Sequence, residues 1–253
     1  MFNIALNTFK EIVRNKFLYL IIFFAFVFIV FSIALGNLTI GEDNKVIVDF
    51  GLAMIEIFGL VWVLFVWSQL LFKEVEGKTI FLILSKPIRR WEFIMGKFVG
   101  FSGTVALIIL FQSLLFLAVL LFKWIEIDHL ILFSLLFTFF KLEITLGLVF
   151  FFSTFMSNIL TIMVALMVYF ISHSFSAILD IVMRYQSEVL SSITKVFQLL
   201  FPPFEYLNIK DVIGGFTNFA PSYFVYNTMY SILYLLVILY FTIQIFHRKK
   251  FEN

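Results

Sequence analysis

Cysteine is absent from the 253 residues, and proline occurs only four times. The first absence excludes disulfides, thiolate metal sites and cysteine nucleophiles, while leaving the cellular compartment open. Charge is scarce as well: Asp, Glu, Lys and Arg make up 13% of the chain, against 62% hydrophobic residues. A soluble domain carries roughly 25% charged and 45–50% apolar residues, so a water-soluble core of this length could not hide the surplus. The net charge of +2 is small and comes from unevenly placed basic residues, which gives no footing for a nucleic-acid partner. No Ser/His/Asp set, H-E-x-x-H motif or pair of intramembrane aspartates is present, so no catalytic residue is assigned.

What the chain has is long apolar runs. Residues 17–35, 50–72, 98–122, 130–155, 159–181 and 225–246 each read as a membrane-spanning helix, since about 20 residues at 1.5 Å per residue cross ~30 Å of hydrocarbon. The expectation is an all-α membrane protein, a single domain over 1–253 with six spans. The 38 phenylalanines read as lipid-facing side chains rather than an aromatic substrate path, because Phe inserts favourably. The first run exceeds the 7–15 apolar residues of a signal-peptide core and is read as a retained span.

The basic residues set a direction. Lys10, Arg14 and Lys16 precede the first span, and Lys73, Lys78, Lys86, Arg89, Arg90 and Lys97 lie between the second and third. Arg248, Lys249 and Lys250 follow the sixth, whereas Lys45, Lys123, Arg184, Lys195 and Lys210 fall on the other side. The positive-inside rule then places both termini in the cytoplasm of a cell (inner, cytoplasmic) membrane.

Three connecting segments stand out. In 1–16, Phe2, Ala5, Leu6, Phe9, Ile12 and Val13 recur at helical spacing opposite Asn3, Asn7, Lys10 and Arg14, the pattern of a helix lying in the membrane interface among lipid headgroups. In 182–224, Val189, Ile193, Val196, Phe197 and Leu200 form a stripe ended by Pro202-Pro203, and Gly214-Gly215 marks a turn. This outer segment reads as re-entrant or surface-lying. In 73–97 a short apolar stretch is flanked by charge on both sides and closed by Pro87, a form suited either to docking a soluble partner or to anchoring on anionic lipid. Gly77-Lys78-Thr79 imitates the end of a phosphate-binding loop, but Phe72 stands where the motif needs its first glycine. Nucleotide hydrolysis is therefore not expected of this chain.

Four stretches carry a resemblance: Ala5 to Arg14; Asp49-Phe50-Gly51-Leu52 leading on to Glu74-Val75-Glu76-Gly77-Lys78-Thr79-Ile80; Leu84-Ser85-Lys86-Pro87-Ile88-Arg89-Arg90-Trp91-Glu92-Phe93 with Gly96-Lys97 and Gly100; and Phe201-Pro202, Leu207-Asn208 with the terminal Ile245 to Phe251. In this order the chain resembles the permease subunits of ABC-2 type transporters, in the branch similar to the permease of nitrous-oxide-reductase maturation systems. That resemblance implies six helices, a dimer with a second permease copy or a paralogue, and a separate cytoplasmic ABC ATPase that binds ATP and Mg, with no cofactor in this chain and a prokaryotic source. It also implies that the 73–97 loop is a helical coupling element seated on the ATPase, with Glu74, Glu76, Thr79, Ser85, Lys86, Arg89 and Arg90 at the matching positions. The competing expectation is a non-transporting membrane scaffold, sensor or immunity protein that docks a cytoplasmic partner through the same loop.

Charges inside the spans are the remaining candidates. Glu56, near the outer end of the second span, has room to reach the interface; Lys141 and Glu143 sit near the middle of the fourth. A central charge costs roughly 2.5–3.5 kcal/mol on insertion scales and faces protein or water. The i,i+2 spacing turns Lys141 and Glu143 about 200° apart, so at least one needs a partner on another helix, with Glu56 a candidate. The spacing leaves open a structural pair or a polar translocation path. His173 shares that ambiguity and has no His, Asp or Glu at i±3 or i±4, which makes it a poor metal ligand; no metal site is assigned. Gly96, Gly100 and Gly103 open one helix to close approach.

Overall fold

The computed structural model describes residues 1–39, 41–66, 89–175, 201–202, 204–213 and 219–248, with isolated positions between 178 and 197. Among these the chain is all-helical. The helices are α1 (Phe2–Val13), α2 (Lys16–Leu38), α3 (Asp43–Val66), α4 (Arg90–Phe122), α5 (His129–Ser153), α6 (Asn158–His173) and α7 (Pro221–Arg248), with a 3-10 turn at Lys210–Val212 ahead of α7.

Five helices, α2 to α5 and α7, are long and apolar enough to cross a membrane, and they mark a multi-pass membrane protein. The span expected over 159–181 begins as α6, whose 16 residues fall short of the ~20 needed to cross. Most of 176–181 lies outside the described residues. The second span differs in the other direction: α3 starts at Asp43, not Phe50. Asp43 suits a first helical turn, where a carboxylate meets the positive end of the helix dipole. This shift moves Glu56 to about 20 Å along its helix at 1.5 Å per residue, away from the end where sequence spacing put it.

α5 is the central element, packed against α3, α4, α6 and α7. Its buried set runs unbroken from Lys141 to Phe150, whereas the first half alternates, with Leu132 and Leu136 exposed. α2 and α7 present the opposite character, exposing Phe23, Phe24, Phe31, Val225, Leu233 and Phe241 on faces suited to lipid. Hydroxyls within the helices bond back to their own backbone, as in Thr104 to the Phe101 carbonyl (2.7 Å), Thr145 to Lys141 (2.7 Å) and Thr242 to Ile238 (2.8 Å). A polar side chain in an apolar layer is thereby satisfied without leaving its helix.

Both ends of the bundle are tied. At one, the turn from α4 to α5 passes through Trp124 at φ 57, with the Ile125 N–H donating to the Leu120 carbonyl across the helix end. Trp124 is 94% exposed there, and the neighbouring Lys123 ammonium donates to Asn37 Oδ1 at the end of α2. Phe133 of α5 stacks on Phe224 of α7 with ring centres 3.9 Å apart. At the other end Phe93 stacks on Phe246, and the Arg90 guanidinium donates to the His247 carbonyl at 2.9 Å, joining the start of α4 to the last turn of α7.

α1 lies along the first half of α4. Gly96, Gly100 and Gly103 line the seat: a methyl group built on Gly100 would come within 2.7 Å of Thr8 Cβ and 2.8 Å of the Ala5 carbonyl oxygen. One on Gly96 would meet Ile4 Cβ at 2.9 Å. The buried face of α1 is therefore Ala5, Thr8 and Ile12, whereas Phe2 and Leu6 of the expected apolar stripe are exposed. Ala5 and Thr8 sit inward at Gly100, where the two backbones nearly touch.

Candidate functional site

The site is built on one carboxylate. Glu56 of α3 is 4% exposed, and its Oε1 accepts from the Lys141 ammonium of α5 at 2.5 Å and from the Tyr169 hydroxyl of α6 at 2.5 Å. His173 Nε2 lies 3.0 Å from the same oxygen. Oε2 takes the ammonium of Lys210, from the 3-10 turn that leads toward α7. Four groups from three elements thus converge on a single side chain.

Helical spacing explains the convergence. Tyr169 and His173 are four residues apart on α6, so they share a face, with ring centres 4.5 Å apart. Phe204, from the segment ahead of α7, covers both rings, at 5.4 Å from Tyr169 and 5.5 Å from His173. Phe204, Leu207, Ile209 and Ile213 are all buried, and the turn between them packs on α3 and α5, which carries Lys210 to Glu56. The Tyr223 hydroxyl donates to the Tyr206 carbonyl at 2.5 Å and fastens the same segment to α7.

The imidazole has two roles open to it. Its Nδ1 sits 3.1 Å from the Tyr169 carbonyl oxygen and donates to it, because a carbonyl only accepts. Nε2 then faces a carboxylate oxygen at 3.0 Å and the Lys141 ammonium at 3.4 Å. A neutral ring accepts from the lysine there; a protonated ring donates to Glu56. Exposure divides the cluster as well: the Lys141 side chain is 0% exposed, Lys210 17% and His173 21%. One side is sealed in the bundle and the other is open.

Lys141 and Glu143, neighbours in sequence, serve different helices. Glu143 turns toward Ser102 of α4, which hydrogen-bonds to it, and its Oε1 has no partner among the described residues. Glu56, Lys141 and His173 are brought together; Glu143 is not. Tyr169 and Lys210 were not distinguished by sequence reasoning. Lys210 looked like an ordinary charge in an outer connection, while the i,i+4 pairing of Tyr169 with a membrane histidine was a usable signal for the first. No group of three His, Asp or Glu able to hold a metal occurs among the described residues.

Of the loop positions, Glu74, Glu76, Thr79, Ser85 and Lys86 lie outside the described residues. Arg89 and Arg90 open α4. The Arg89 N–H donates to Glu92 Oε2 at 3.1 Å, which satisfies a free amide at the helix start. Arg89 is exposed, whereas Arg90 is half-buried against α7. No family model matches the chain, and no curated protein is significantly similar to it in sequence.

Proposed function

We propose that the chain is the permease subunit of an ATP-driven exporter of the ABC-2 type, with six spans, both termini cytoplasmic, and a second permease copy or paralogue as its partner. ATP hydrolysis then belongs to a separate cytoplasmic ATPase docked on the 73–97 loop, and α1 lies at the cytoplasmic membrane surface. The observation that carries this reading is the charged block from Lys73 to Glu92, which runs directly into α4. Glu92 caps the start of that helix, Arg90 ties it to α7, and α1 is seated on its glycine row. A displacement applied to the loop passes into three helices at once, as rigid-body coupling requires. Surface charges on the loop would select the matching ATPase.

The test is co-purification with an ATPase encoded beside the chain, followed by measurement of stimulated hydrolysis. The double variant Lys86→Glu/Arg89→Glu, with Arg90 left to hold α7, should lower stimulation about tenfold or more, the scale of a lost interfacial charge contact. Wild-type protein that neither binds nor stimulates such an ATPase would overturn the permease reading.

A further inference from the structure

Where α5 and α7 begin, a groove of about 500 Å³ runs between them. His129 and Phe133 of α5 line one wall and Val225, Thr228 and Met229 of α7 the other, with the Phe133–Phe224 stack behind. Spacings of three and four residues put each set on one helix face, so the groove follows the helix axes. From Pro221, where α7 starts, to Met229 is about 12 Å at 1.5 Å per residue. Val225 is 56% and Met229 57% exposed, which opens the groove sideways onto the face of α7 suited to lipid.

The size selects the occupant. A helix with its side chains is 10–12 Å across, so a 12 Å length displaces on the order of 1,000 Å³, about twice this volume. An alkyl chain is thinner and lies parallel to the spanning helices, where apolar walls reward each methylene. His129 and Thr228 are the polar groups of the lining, and His129 is the first residue of α5, which makes the mouth polar and the interior apolar. At that mouth Asp128 accepts from His129 Nδ1–H at 2.5 Å and from the Leu130 N–H at 3.4 Å. The carboxylate is 39% exposed, so it can also accept from a headgroup. It favours an ammonium and repels a net negative head. We propose that the groove binds the acyl chain of a lipid with a primary-amine headgroup, the chain lying along Phe133, Val225 and Met229 and the ammonium resting on Asp128. This site stands apart from the permease reading and needs no ATPase.

Native mass spectrometry of the whole chain released from detergent tests it, with lysophosphatidylethanolamine and lysophosphatidylglycerol as probes. The ethanolamine probe should bind as one saturable copy per chain, about tenfold tighter than the glycerol probe, the scale of one charged contact. Asp128→Asn, which keeps an acceptor for the Leu130 N–H, should erase that preference. Val225→Trp and Met229→Trp should fill the groove and weaken both probes about tenfold or more. Both positions are more than half exposed, so the larger ring does not disturb the core. Leu233→Trp, one turn beyond Met229 on the same face, should bind as wild type does. Lipid that merely coats α7 predicts neither the headgroup preference nor the difference between Met229 and Leu233. Equal affinity for the two probes, unchanged binding in both groove variants, or a dimer that Val225→Trp splits while lipid binding persists would each overturn the proposal.

Discussion

Removing Glu56 and removing Lys141 are unequal injuries, though the two form one pair. Without Glu56, two lysines and the Tyr169 hydroxyl lose their shared acceptor. Without Lys141, Glu56 keeps Lys210 and Tyr169, with the His173 ring still beside the same carboxylate. Glu56→Leu should therefore cost about 3–5 kcal/mol, the range for stranding a buried charge, and Lys141→Met distinctly less. The double variant should cost less than the sum of the singles, because one lesion cancels part of the other. The thermal midpoint of the monodisperse protein ranks the three, and a Lys141→Met variant less stable than Glu56→Leu would refute the shared-acceptor account. At this scale the membrane charges were legible because hydrocarbon makes every charge conspicuous. Tyr169 was legible only through its i,i+4 spacing from His173, which a run rich in Phe obscures. Lys210 was not legible, because its role depends on a long-range return of the chain that no local pattern encodes.

Among the elements, α1 makes the sharpest demand on the sequence. Its helical period was readable, but its partner was not: a stripe of apolar residues fits a lipid surface as well as a protein groove. The glycines of α4 were readable as a close-approach face, and the structure joins those two half-signals. Gly100 and Gly103 then differ in a testable way. A side chain at Gly100 collides with the Ala5 backbone carbonyl, which cannot turn aside, whereas at Gly103 the nearest atom is the Phe9 ring at 3.3 Å. Gly100→Leu should lift α1 from α4, and Gly103→Ala should be accommodated by a small ring movement. In the cysteine-free background a cysteine at Thr8, only 3% exposed, reports on it. Thr8→Cys should resist maleimide alone and with Gly103→Ala, and react with Gly100→Leu. Equal reactivity in all three would mean that the glycine row is not what holds α1.

For the whole molecule, the distribution of charge predicts a direction that the fold leaves to be measured. The Lys123–Asn37 and Phe133–Phe224 contacts gather the end of α2, the α4–α5 turn and the start of α7 at one end of the bundle. The Arg90–His247 contact and the seat of α1 gather the start of α4 and the end of α7 at the other. Lys10, Arg14, Lys16, Arg89, Arg90 and Arg248 all belong to this second end, so the positive-inside rule predicts that it faces the cytoplasm. Reporter positions are available on exposed residues of both ends. Cysteines placed at Asn44 and Glu126 should react with a membrane-impermeant maleimide in intact cells, while cysteines at Glu11 and Arg248 should react only after the membrane is opened. The pattern is informative in either direction, because each end is sampled on two elements. Labelling of Glu11 and Arg248 from outside would invert the chain and put the 73–97 loop beyond reach of a cytoplasmic ATPase. Labelling of Glu11 and Arg248 from opposite sides would break the even span count instead, and with it the reading of α6 as the start of a sixth crossing.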